Sequence, residues 1–221
     1  MSDTKTSLEI PVTQSLRNSF MTSYLILMGY TGLTAIEALR TPSVEIRHVM
    51  NIETTVSLVA AIVYSIFNEM LKAPTIDLSQ ITEMRYIDWS ITTPLIILVL
   101  TLFYTGINHP SYKVFLLLIT LNWAMLGSGY LGETGTINKW AGFGLGFLFF
   151  GLMLLVLFVT CVADTKNHVV FWIFALIWSG YGIAYLADEE TKNLAYNGLD
   201  VISKALFGVV LYLYYGKVLK F

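Results

Sequence analysis

Seven long, mainly apolar stretches, separated by short polar breaks, constrain this chain more than any other feature. A helix needs about 20 such residues to cross a bilayer. Residues 16–39, 48–71, 82–105, 112–131, 137–161, 167–187 and 193–219 all qualify. The breaks hold proline, glycine, asparagine and aspartate, which end helices and make turns. Because each break is short, neighbouring helices should pack antiparallel. The expected fold is therefore an all-α membrane protein, a bundle of seven transmembrane helices forming a single domain over residues 1–221.

Composition narrows the function. Only 13% of residues are charged, against about 25% in a soluble domain. The net charge of -2 offers no basic surface for nucleic acid. One cysteine, Cys161, cannot form an intrachain disulfide, and His48, His109 and His168 have no metal-binding spacing. No metal site and no enzymatic activity are expected; the partner is the lipid bilayer. The first fifteen residues lack the pattern of a removed signal peptide, so the first apolar stretch should serve as an uncleaved insertion signal. Basic residues divide almost evenly between the two sides of the bundle. Glu69, Asp77, Glu83, Glu133, Asp188, Glu189 and Glu190 all fall on the N-terminal side. This pattern agrees with an N-terminus outside and a cytoplasmic C-terminus.

A charge held in the bilayer is costly and usually has a partner and a task. Glu53, Arg85, Asp88, Asp200 and Lys204 all lie inside apolar stretches. Lys204 is eleven residues into the seventh, about 16 Å deep at 1.5 Å per residue. That is beyond the reach of a snorkelling lysine, so its nitrogen must be paired, neutral or modified. Asp200 lies one turn before it, and Arg85, Asp88 and Thr92 form one stripe of the third helix. The two stripes carry two positive and two negative charges, a neutral set that a low-dielectric interior can hold. It can be a structural clamp. It can equally hold the cation formed when Lys204 condenses with a carbonyl compound. Trp89, Met125, Gly129, Trp140, Phe147, Trp178 and Tyr181 fall at similar depth and can line a slot for a flat apolar ligand.

Several of these segments resemble microbial rhodopsins. Arg85-Tyr-Ile-Asp-Trp-Ser-Ile-Thr-Thr-Pro-Leu95 resembles their third-helix signature, and Asp200-Val-Ile-Ser-Lys204 their retinal-attachment motif. Asn122-Trp-Ala-Met-Leu-Gly-Ser-Gly129 and Trp178-Ser-Gly-Tyr181 resemble their fourth- and sixth-helix segments. The short loops also resemble rhodopsins of giant algal viruses. The resemblance implies all-trans retinal bound to Lys204 as a protonated Schiff base. Asp88 and Asp200 would be its counterions, with Arg85 beneath them. Trp89 and Trp178 would sandwich the polyene, and Thr92, Thr93, Met125, Gly129, Trp140, Phe147 and Tyr181 would line its pocket. Ile96 stands at the family's colour-tuning position, where blue-absorbing forms carry glutamine; green absorption is expected.

The departures bear on function. The position eleven residues after Asp88, where the family's outward proton pumps place a donor carboxylate, is Val99. Lys192 stands eight residues before Asp200, and the release glutamates of those pumps have no clear match. The acidic run Asp188–Glu190 reads as a solvated loop. Glu53, with Asn51 near it, is an added acid in the second helix. It can be a frayed-end residue reaching headgroup water, a substitute proton donor, or a gate. The expected ion pathway comprises Asn51, Glu53, Arg85, Asp88 and Asp200. A light-gated cation channel is the favoured expectation. The alternatives are a light-driven outward proton pump and a sensory receptor signalling through a partner protein. Self-association into a homo-oligomer is also expected.

Overall fold

A computed structural model describes residues 9–106, 111–162, 168–206, 208–210 and 213. His109 and the stretch beyond 213 expected to complete the seventh helix lie outside the described residues. Seven helices follow in order: α1 (Gln14–Arg40), α2 (Val44–Met70), α3 (Leu78–Thr105), α4 (Tyr112–Glu133), α5 (Lys139–Leu157), α6 (Val169–Tyr185) and α7 (Glu189–Val201). π-helical turns extend α5 through Phe158–Val162 and α7 through Ile202–Leu206. Strands β1 (Glu9–Pro11) and β2 (Thr75–Asp77) pair antiparallel, with Ile10 opposite Ile76. This small sheet marks one end of the bundle, called the sheet end below.

Several helices begin a turn earlier than the apolar stretches suggest, because caps rather than apolar residues start them. Ser43 accepts from the Ile46 amide, Asp77 from Ser79 and Asp188 from Thr191. The run Asp188–Glu190 is thus a cap and first helical turn, not a loop. Thr13 caps α1, and its hydroxyl donates to Glu190 at 2.6 Å, joining the N-terminal segment to α7.

In a bilayer no water relieves an unpaired backbone group. Pro94 lies inside α3 and has no N–H to offer the Ser90 carbonyl. The Trp123 indole of α4 donates to that carbonyl at 3.0 Å, repairing the ladder and tying two helices together. At the start of α6, where His168 makes no side-chain cap, the Phe171 amide donates to the Tyr104 hydroxyl at 2.8 Å. Helices α4 and α5 meet through glycines. A Cβ on Gly142 would lie 3.0 Å from the Gly132 Cα and 2.9 Å from the Ser128 carbonyl oxygen. Such small residues let helices approach where lipid supplies no hydrophobic drive for association.

At the sheet end, Lys192 is 2% exposed. Its ammonium bridges Glu133 of α4 at 2.6 Å and Glu189 of α7 at 2.7 Å. Removing a buried cation strands its carboxylates. Lys192→Ala should therefore cost about 3 kcal/mol, read as a lower unfolding midpoint in detergent. Adding Glu133→Gln should recover part of the loss. An unchanged midpoint in the single variant would show that the bridge contributes no stability.

Candidate functional site

The α7 residues Asn193, Asn197, Asp200 and Lys204 recur every three or four positions and share one buried face. Lys204 sits in the wide π-helical turn, a form often found at functional positions. Its nitrogen pairs with Asp88 Oδ2 of α3 and lies 3.3 Å from Asp200 Oδ1. Arg85 reaches Asp200 at 3.6 Å. All four side chains are at most 3% exposed. The two expected charge stripes therefore meet as one neutral set.

Hydrogen bonds fix its members. Asp200 Oδ1 takes bonds from the Tyr181 hydroxyl at 2.8 Å and the Trp89 indole at 3.2 Å. Its Oδ2 lies 2.8 Å from the Tyr64 hydroxyl. Arg85 donates to Asn193, Asn197 and Tyr64. Its guanidinium also lies 5.2 Å from the ring centres of Phe20 and Phe67. Asp200 thus has four groups besides Lys204 within reach. Asp88 Oδ1 has no hydrogen-bond partner among the described residues. The supporting residues Asn193 and Asn197 were not singled out from the sequence, and Tyr64 served there only to align the second helix with that of the family's pumps. The α7 pair was legible in its four-residue spacing, while nothing local in the sequence tied Tyr64 to Asp200.

Beyond Lys204 opens a cavity of ≈ 790 Å³ of empty space, part of it continuous with the surroundings. Trp89, Thr93, Met125, Gly129, Phe147, Trp178 and Tyr181 line it, together with Ile96, Phe143, Phe150 and Tyr196. Trp178 is held by Phe150, stacked at 6.5 Å, and by Phe174. Glycines supply room: a Cβ on Gly129 would lie 2.7 Å from the Tyr86 hydroxyl, and one on Gly182 would collide with the Phe147 ring. Apolar walls with one amine at the end fit a flat apolar aldehyde.

Three expected site residues fall elsewhere. Trp140 is 67% exposed on the outer face of α5, and Phe143 occupies the cavity wall instead. Because α5 is apolar all round, its sequence does not mark which face turns inward. Thr92 is buried but does not line the cavity; its hydroxyl donates to the Asp88 carbonyl at 2.9 Å, one turn back along α3. Asn51 is exposed on α2, two residues and a large rotation from Glu53.

Glu53 does not reach headgroup water. It lies well inside α2 and is 2% exposed. The Tyr30 hydroxyl of α1 donates to its Oε2 at 3.3 Å. The same oxygen abuts Gly208, where any Cβ would collide with it. Val99 sits in an apolar cluster with Met50 and Val56, the α2 residues three before and three after Glu53.

Residues 15–218 match the family model described as bacteriorhodopsin-like protein. The chain belongs to that family. Bacteriorhodopsin-like proteins are integral, multi-pass membrane proteins, and membership implies a retinal chromophore. This bacteriorhodopsin-like chain is similar to the viral rhodopsin OLPVRII, with 37% identity and a TM-score of 0.86, over 93% of this chain and 99% of that one. It is 28% identical over 149 residues to the green-light absorbing proteorhodopsin of Gamma-proteobacterium EBAC31A08. That match covers 59% of this chain and 60% of the relative, so the chain aligns with under two thirds of that protein. The blue light-absorbing proteorhodopsin from Med12 shares the fold at a TM-score of 0.76 and 24% identity, over 91% of this chain and 96% of that one.

Purified protein supplied with all-trans retinal should be coloured and absorb in the green, and Lys204→Ala should abolish the visible band. Asp88→Asn should shift the band to longer wavelength, because the anion nearest the Lys204 nitrogen is removed. A visible band in the alanine variant, or an unshifted one in the asparagine variant, would contradict these roles.

Proposed function

We propose that this protein is a light-driven proton pump that carries all-trans retinal covalently on Lys204 and moves protons outward. One observation carries the reading: carboxylates flank Lys204 along α7 on both sides. Asp200 lies four residues before it, with Asp88 paired to its nitrogen. Four residues after it stands Gly208, against which the buried Glu53 carboxylate docks.

When bound, retinal supplies light absorption and a change of shape that loosens the proton on the Lys204 nitrogen. Asp88 is placed to take that proton through Oδ2. Asp200 is held by Tyr64, Tyr181 and Trp89 as a fixed anion, so the site keeps a negative charge after Asp88 is neutralised. Arg85, between Asp200 and Asn193, leads toward the sheet end, which the reading places outside. Glu53 returns a proton to Lys204 from the opposite side. It replaces the third-helix carboxylate whose position holds Val99. The apolar cluster around Val99 opposes free passage of a hydrated cation, whose lost hydration nothing there would replace.

A second reading, the light-gated cation channel favoured from sequence, keeps support from buried and half-buried hydroxyls beside Glu53. Thr31 donates to Ser57 at 2.9 Å and Thr54 to Thr34 at 2.8 Å, giving the α1–α2 seam polar stepping stones.

Illuminated cells or vesicles containing the protein should acidify the outside medium, and a protonophore should abolish the change. Glu53→Gln should slow return of the proton to Lys204 by about 10²-fold or more, as loss of a positioned acid does, and azide should restore it. No light-driven pH change, or proton return at the parental rate in Glu53→Gln, would overturn the reading.

A further inference from the structure

Within the proposed pathway, Glu53 takes its side-chain hydrogen bond from Tyr30 of the outer helix α1. Three side-chain bonds join α1 to α2 around it: Tyr30 to Glu53 at 3.3 Å, Thr31 to Ser57 at 2.9 Å and Thr54 to Thr34 at 2.8 Å. Their register is tight. Residues 30, 31 and 34 meet 53, 57 and 54, so the seam fixes both the height and the rotation of α2. In a bilayer such bonds persist because lipid offers no competing partner. Tyr30 is 6% exposed, and its hydroxyl ends at a charged or protonated carboxyl group rather than at a backbone carbonyl.

Gly208 completes the arrangement. A Cβ built on it would overlap both the Tyr30 hydroxyl and Glu53 Oε2. Any side chain at 208 would push those two groups away from the turn that follows Lys204. Glycine is therefore required for close approach, not for backbone conformation. A buried glutamate has several rotamers, and in the one observed its carboxyl abuts Gly208, four residues after Lys204.

We infer that Tyr30 and Gly208 together form a seat for the Glu53 carboxyl group, with Tyr30 as its positioning residue. The inference rests on the donor reading of Glu53 given above. Tyr30 does not line the cavity; it acts by holding Glu53 where a proton can pass.

The test compares Tyr30→Phe, Gly208→Ala and Glu53→Gln in the retinal-bound protein. Tyr30→Phe keeps the ring and deletes the bond. It should leave the visible maximum in place and slow proton return to Lys204 by about tenfold, the scale expected for a small misplacement. Azide should restore the rate. The infrared C=O stretch that disappears in Glu53→Gln should move to higher frequency in Tyr30→Phe, since a hydrogen bond to that carbonyl is lost. Gly208→Ala should slow proton return by at least as much. If Glu53→Gln is slow while Tyr30→Phe keeps the parental rate and carboxyl frequency, the seat is overturned and the donor reading survives. Parental kinetics in Glu53→Gln would overturn both. Should Gly208→Ala fail to take up retinal, Tyr30→Phe decides alone.

Discussion

An ammonium group in the middle of a membrane dictates the rest of this molecule. Lys204 cannot reach water, so its charge must be met by anions drawn from other parts of the chain. Asp200 comes from its own helix and Asp88 from α3. Two anions exceed one cation, and Arg85 restores neutrality. Each of these groups needs further partners, which Tyr64 of α2, Trp89 of α3 and Tyr181 of α6 provide. Four helices are thereby committed to one polar knot in an apolar bundle. Asp88 is the exception, with one carboxylate oxygen bonded to lysine and the other unpartnered among the described residues. That asymmetry suits a group whose charge is to change, whereas the densely bonded Asp200 suits one whose charge is to stay.

The same rule governs the backbone. A proline in α3 is tolerated because an indole from α4 takes the carbonyl it leaves open. The first turn of α6 borrows a tyrosine hydroxyl from α3. At the sheet end a second buried lysine, Lys192, is held by two glutamates of different helices. Polar groups act here as inter-helix fastenings, since apolar packing alone gives helices in lipid little preference for one another.

Much of this was legible in the sequence, because a charge within an apolar stretch leaves few alternatives. The seven helices follow from the length of the apolar stretches, and the set Arg85, Asp88, Asp200 and Lys204 from the charges inside them. What escaped has identifiable causes. Trp140 and Phe143 lie three residues apart on a helix that is apolar on every side, so nothing marks which one faces inward. Asn51 and Glu53 look alike as neighbours, but two residues on a helix turn through about 200°. One is exposed and the other buried. The burial of Glu53 depends on a glycine 155 positions away, a pairing that no local pattern announces. Lys192 fell outside the seventh apolar stretch because the apolar count starts after the capped first turn of α7.

In the proposed pump, light moves a proton one way past Lys204, taken by Asp88 and replaced through Glu53. Photocurrent under voltage clamp tests it most directly. Currents recorded across potentials on both sides of zero, with symmetrical solutions, should stay outward throughout and only shrink as the opposing potential grows. A current that reverses sign with the driving force would contradict the claim and establish a channel instead.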